Sequence, residues 1–147
     1  MTRERILDTR ANGRVAVTCP AESGISYLMR GSTDPFHPWH GRPWWFWIVQ
    51  FNRMIARGVL PRAAYRYCRM MVTGGCTRRD AIQLIAERDC GHLGGALEII
   101  DIDDLPNDRT YRDAWRRSAN GGPVWIDSDH AQRIDEAIMW KAYNERT

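Results

Sequence analysis

The sequence predicts an α+β fold: a small antiparallel sheet with a C-terminal helix and an inserted basic three-helix unit. Three observations predict it. Residues 14–18 alternate with period two, and residues 96–102 form a mostly apolar run, both strand patterns. Residues 44–90 carry helical periodicity punctuated by Pro and Gly, and an amphipathic helix closes the chain. The whole of 1–147 reads as one domain, with 44–90 as a helical insertion within it.

The elements follow in order. Ile6-Leu7-Asp8 and Arg14-Val15-Ala16-Val17-Thr18 flank Asn12-Gly13, a strong hairpin signal, and Pro20 stops the second strand. From Ala21 to Pro43 the chain is rich in Gly, Ser, Pro and His, and Pro35, Pro38 and Pro43 mark an irregular, partly extended loop. Pro43 suits the first turn of a helix over about 44–57, with Gly58 as its stop. A second helix opens at Pro61 and runs to about Val72, with Ala63, Ala64, Tyr67, Cys68 and Met71 as its apolar stripe. Gly74-Gly75 breaks it. Thr77 and Asp80 are spaced as a capping box for a third helix, about 78–89, that buries Ala81, Ile82, Leu84 and Ile85.

In the last third, Ala96 to Ile102 reads as a strand ended by Asp103-Asp104-Leu105-Pro106. Asn107 or Asp108 is placed to cap a short helix over Thr110 to Arg117. Pro123 to Ile126 reads as another strand, joining the same small sheet. Ser128 or Asp129 is placed to cap a final helix to about Asn144, whose Ala131, Ile134, Ile138 and Ala142 have the spacing of a face docked on a sheet.

Charge sharpens the functional reading. Twenty of the 21 basic residues are arginine, Lys141 being the exception. Residues 41–97 hold nine bases and three acids, whereas 98–147 hold seven bases and eleven acids. Within the middle, Arg53, Arg57, Arg62, Arg66, Arg69, Arg78 and Arg79 precede the next acid, Asp80. Such a field attracts an anionic partner, unless these arginines pair internally with the acidic last third. Arg62, Arg66 and Arg69 share one helix face. Trp44 and Trp45 are consecutive, so both rings cannot face one core and at least one should be partly exposed. An exposed Trp beside Arg42 and Arg53 has the composition of a protein-binding hot spot or a base-stacking platform; the alternative is an aromatic core under the His-Pro loop.

Other chemistry is weaker. Cys68, Cys76, Cys90 and His92 nominally supply three thiolates and an imidazole to zinc, but they lack the short paired knuckle of strong zinc motifs. Four reduced cysteines are therefore expected. Asp101, Asp103, Asp104 and Asp108 form an acidic cluster without a phosphate loop or catalytic lysine. His37, His40 and His130 have no nucleophile at recognisable spacing. The expectation is a non-catalytic protein that needs no cofactor. The N-terminus, Met-Thr-Arg-Glu-Arg-Ile, has no apolar stretch, and Trp44 to Phe51 is far shorter than the roughly 20 residues of a membrane span, so a cytoplasmic protein without a membrane partner is expected.

Leu105-Pro106-Asn107-Asp108-Arg109-Thr110-Tyr111-Arg112-Asp113-Ala114-Trp115 resembles a Leu-Pro-x-Asp-Arg-Thr-aromatic-Arg-x-Ala-Trp segment of small uncharacterised phage and prophage proteins. The resemblance covers residues 97–135 and implies a mobile-element origin, with the host-cell cytoplasm as the place of action. It brings no catalytic residues. Arg109 and Arg112 are expected to answer the Asp cluster, and Tyr111, Ala114 and Trp115 to pack the short helix. These readings converge on a phage-type binding protein that occupies a protein or nucleoprotein partner through Trp44, Trp45 and the seven arginines, in one form an anti-CRISPR-like inhibitor of a host defence complex. The alternatives are a helix-turn-helix DNA-binding regulator, built on the second and third helices, and a phage structural or assembly accessory protein.

Overall fold

The computed structural model describes residues 3–145. The hairpin forms as its Asn-Gly turn predicts: β1 (Glu4–Thr9) pairs antiparallel with β2 (Val15–Thr18), Thr9 lying opposite Val15. β3 (Ala96–Asp101) pairs antiparallel along the other edge of β1, Ile6 opposite Ile99, so the sheet order is β2-β1-β3. β1 is thus central, which explains why Ile6, Leu7, Asp8 and Thr9 are all buried. Asp8 is held there by Arg10, whose Nε lies 2.7 Å from its carboxylate.

The 21–43 loop is partly helical, a correction to the irregular reading. α1 (Glu22–Arg30) places Ile25 and Leu28 three apart in the core, while Ser23 and Gly24 mask its periodicity in sequence. α2 (Trp44–Ala56), α3 (Pro61–Thr73) and α4 (Arg78–Asp89) follow, so α1 adds a fourth helix to the expected three. Thr77 and Asp80 do form a capping box, Thr77 Oγ1 accepting from the Asp80 amide at 3.2 Å. α4 packs against α1, α3 and β3. One core therefore unites Ile6 of the sheet with Ile25, Leu28, Tyr67, Met71, Ile82, Leu84 and Ile85 of the helices.

α1 and α3 end against each other at two glycines. Gly31 and Gly74 have φ of 74° and 63°, and a Cβ on Gly74 would lie 2.5 Å from the Arg30 carbonyl. The left-handed backbone and the close approach both require glycine.

The last third departs from expectation in three ways. The short helix reduces to a 3-10 turn at Arg112–Ala114, followed by β4 (Trp115–Arg116). β5 (Trp125–Ile126) pairs with β4 in a separate ribbon instead of joining the main sheet. The ribbon is tied to the hairpin through an Arg14–Arg116 bridge and the Arg117 amide, which donates to the Gly13 carbonyl at 3.0 Å, and to β3 through the buried Arg117 side chain, whose Nη1 lies 2.7 Å from Glu98. Third, α5 (Ser128–Asn144), capped by Asp127, does not dock on the sheet. Ala131 and Ile134 are half-buried near the 3-10 turn, Tyr111 Oη donates to Asp135 at 2.9 Å, and Ile138 and Ala142 are exposed. Among the described residues no helix is long and apolar enough to cross a membrane.

Candidate partner-binding site

α2 forms because Pro43 starts it and its interior, Trp-Trp-Phe-Trp-Ile-Val-Gln-Phe, holds no breaker. It lies on α3, where Phe51, Met54 and Ile55 cover Val59, Ala63 and Ala64. No residue of α2 is fully buried. Trp44 and Trp45 are both exposed, at 71% and 54%, together with Phe36, Val49 and Tyr65. The aromatic-core alternative is only partly realised: Tyr27, His37, Trp39 and Phe46 form a chain of edge-to-face contacts that straps the His-Pro loop to the start of α2. Arg42 caps this chain, its guanidinium 5.4 Å from the Phe46 centroid.

His37 is central to that strap. Its Nδ1 accepts from the Trp39 amide at 2.9 Å, and its ring is buried. Burial pushes the His37 pKa down, opposed by the nearby Asp34.

The seven arginines do not form one face. Arg66 is paired with Glu87 of α4 at 2.7 Å. Arg78 is held by Glu22 at 2.5 Å and by Glu4 at 2.9 Å, and those carboxylates raise its pKa. Two of the seven are therefore ties between elements, and their acids come from β1, α1 and α4, not from the acidic last third. Arg53, Arg57, Arg62, Arg69 and Arg79 have no acid partner among the described residues.

Two clefts use different stripes of α2 and α3. Gln50, Arg53, Met54 and Arg57, spaced three, four and seven along α2, line a cleft of about 560 Å³ with Trp39, Tyr67, Met71, Arg88 and His92. Arg69 lines a smaller one of about 220 Å³ with Trp47, Tyr65, Cys68, Val72 and Thr73. The sequence reading does not bring Arg88 and His92 to this site or join Trp39 to them, because Trp39 comes from the loop before α2, Arg88 from the last turn of α4 and His92 from the 3-10 turn after it. Arg88 stacks over Tyr67, 4.4 Å from its ring centroid, and holds Asp89 at 2.6 and 2.8 Å.

The helix-turn-helix outline meets a different packing. α4, which would be the reading helix, is the central helix of the fold: Ala81, Ile82, Leu84, Ile85 and Ala86 are buried and Arg78 is engaged. The cysteines do not gather either. Cys68 is buried and its thiol is pushed up to about 11 by burial, Cys76 Sγ donates to the Leu28 carbonyl at 3.3 Å, and Cys90 lies 3.8 Å from Thr18 Oγ1. Among the described residues no three His, Cys, Asp or Glu side chains are grouped to hold a metal ion. The Asp cluster is answered by Arg3, which bonds Asp101 at 3.2 Å and also Asp103, in place of the expected Arg109 and Arg112. Asp101 caps the 3-10 turn that ends β3 and accepts from the Asp103 amide. No family model matches the chain, and no curated protein or solved structure is significantly similar to it.

Proposed function

We propose that this chain is a non-catalytic binding protein that occupies an anionic partner through the Trp/Arg surface of α2 and α3. One observation carries the reading: from Pro35 to Arg79 the chain has no acid, and within that stretch Trp44 and Trp45 are exposed while Arg53, Arg57, Arg62, Arg69 and Arg79 have no acid partner among the described residues. Exposed Trp and Arg are the residue types that dominate binding energy at interfaces. The working residues are Trp44, Trp45, Arg53, Arg57, Arg62 and Arg69, with Arg79 in the first turn of α4; Arg66 and Arg78 act as supports. The resemblance of residues 97–135 to phage proteins supports a specific form, an inhibitor that blocks a nucleoprotein defence complex of the host.

The test is capture from a host extract with the full chain and with a Trp45→Ala/Arg62→Glu/Arg69→Glu variant. A partner recovered by the first and lost by the second is expected. Equal recovery by both overturns the assignment of the surface. A salt series with duplex DNA separates the regulator reading, since affinity that falls steeply with salt and is abolished by Arg79→Glu would favour it. Self-association in the same samples would favour the structural-protein reading.

A further inference from the structure

The larger cleft changes character along its length. At one end Trp39 stands beside Phe46, at a centroid distance of 5.7 Å. One turn along α2 comes Gln50, an amide with both donors and an acceptor, and one and two turns further come Arg53 and Arg57. The floor between α2 and α3 is Met54, Val59, Tyr67 and Met71. Asp89 is the single acid among the lining residues, and Arg88 already occupies both its oxygens. Arg53 and Arg57 are four residues apart, so their stems lie about 6 Å from each other on one helix face.

We infer that this cleft binds a nucleoside phosphate, with the phosphates on Arg53 and Arg57 and the base towards Trp39 and Gln50. The volume, about 560 Å³, lies within the range of small-ligand sites. Arginine forks match phosphate oxygens bidentately, and no carboxylate competes for these two. An inorganic anion would leave the aromatic end unused, and an uncharged planar ligand would leave the guanidiniums unused. A nucleoside phosphate satisfies both. Arg88, fixed on Tyr67 and Asp89, adds a third guanidinium to the lining. The inference goes beyond the partner surface and does not rest on it, although Arg53 and Arg57 belong to both.

Calorimetric titration of the full chain tests it, with ADP, adenosine, pyrophosphate and a 5′-phosphorylated dinucleotide as probes. ADP or the dinucleotide is expected to bind saturably, one per chain. Adenosine and pyrophosphate should each bind about tenfold or more weakly, since each forfeits one end of the cleft. Tighter binding of ADP identifies a free nucleotide as the source, and tighter binding of the dinucleotide identifies a strand end. Arg53→Ala/Arg57→Ala should lose about tenfold or more in affinity. Both side chains are exposed, so that variant should keep the parent's thermal melt. Arg62→Ala/Arg69→Ala, outside this cleft, should bind as the parent does, which separates this site from the partner surface. Absence of saturable binding by ADP and by the dinucleotide at millimolar concentration overturns the inference. So does unchanged affinity in Arg53→Ala/Arg57→Ala, or pyrophosphate binding as tightly as ADP.

Discussion

α2 and α4 both pack on α3, and they treat their apolar residues in opposite ways. α4 is half polar, Arg-Arg-Asp-Ala-Ile-Gln-Leu-Ile-Ala-Glu-Arg-Asp, yet five of its residues are buried. α2 is apolar through most of its length, yet none of its residues is fully buried. The difference is one of neighbours. α4 is walled by α1, α3 and β3, whereas α2 has α3 and the aromatic strap. Burial is set by how many elements surround a helix, so the most apolar helix of this chain is free to present its side chains to a partner.

The contrast is broken most severely at the glycine crossing. Gly74→Ala places a methyl against the Arg30 carbonyl and forces a left-handed backbone on alanine, which by itself costs about 1–3 kcal/mol. The added clash wedges α1 from α3 and opens the seat of α4. Chemical denaturation should show the largest loss of any single substitution considered, or no cooperative transition at all.

Ile82→Ala comes next. Ile82 is 1% exposed in the middle of the core, and its truncation should cost about 2–5 kcal/mol by the same measurement. A cost near zero would mean that α4 is not the central helix.

Acid should loosen α2 specifically. His37 is buried neutral, so its folded pKa lies below the ordinary value of about 6.5. The unfolded chain then binds the proton more readily, and stability is fully present above pH of about 6.5 and declines as pH falls below it. Asp34, held below the usual carboxylate range by the Phe36 amide and by Arg30, loses its contribution in a separate, more acidic window. Denaturation midpoints between roughly pH 7 and 5 should fall in the parent and lose the part of that slope due to His37 in His37→Gln. An unchanged slope would show that the strap is not under His37 control.

The smallest stability effect sharpens the comparison most. Trp45→Ala, on the open side of α2, should change stability by no more than about 0.5 kcal/mol while removing partner capture. A cost comparable to that of Ile82→Ala would make Trp45 a core residue and remove the basis of the proposed surface.

Much of this fold is legible in local chemistry. Asn12-Gly13 marks the hairpin, Pro61 and Gly74 bracket α3, and the Thr77/Asp80 box starts α4, because each of these signals acts within a few residues of backbone. α1 is illegible because Gly24 and Ser23 resemble loop residues, and its helix is secured by Ile25 and Leu28 meeting α4 and α3. β4 and β5 are misread because two-residue strands carry no periodicity. In the candidate site, the exposure of Trp44 and Trp45 follows from their adjacency, but the division of the arginines does not.

Local chemistry thus establishes the α+β class, the positions of α2, α3, α4 and α5, and a basic, acid-free stretch from 35 to 79. Hydrogen-bonding preferences, caps and periodicity are local, and net charge is a property of composition. That Arg66 and Arg78 are ties, while Arg53 and Arg57 line a cleft with Arg88, His92 and Trp39, follows from packing alone. An ion pair such as Arg78 with Glu4 joins residues 74 apart in the chain, and a cleft wall is built by whichever segments the core brings together. Distance in space, which sets both Coulomb energy and van der Waals contact, is fixed by the packing of the core and not by sequence separation.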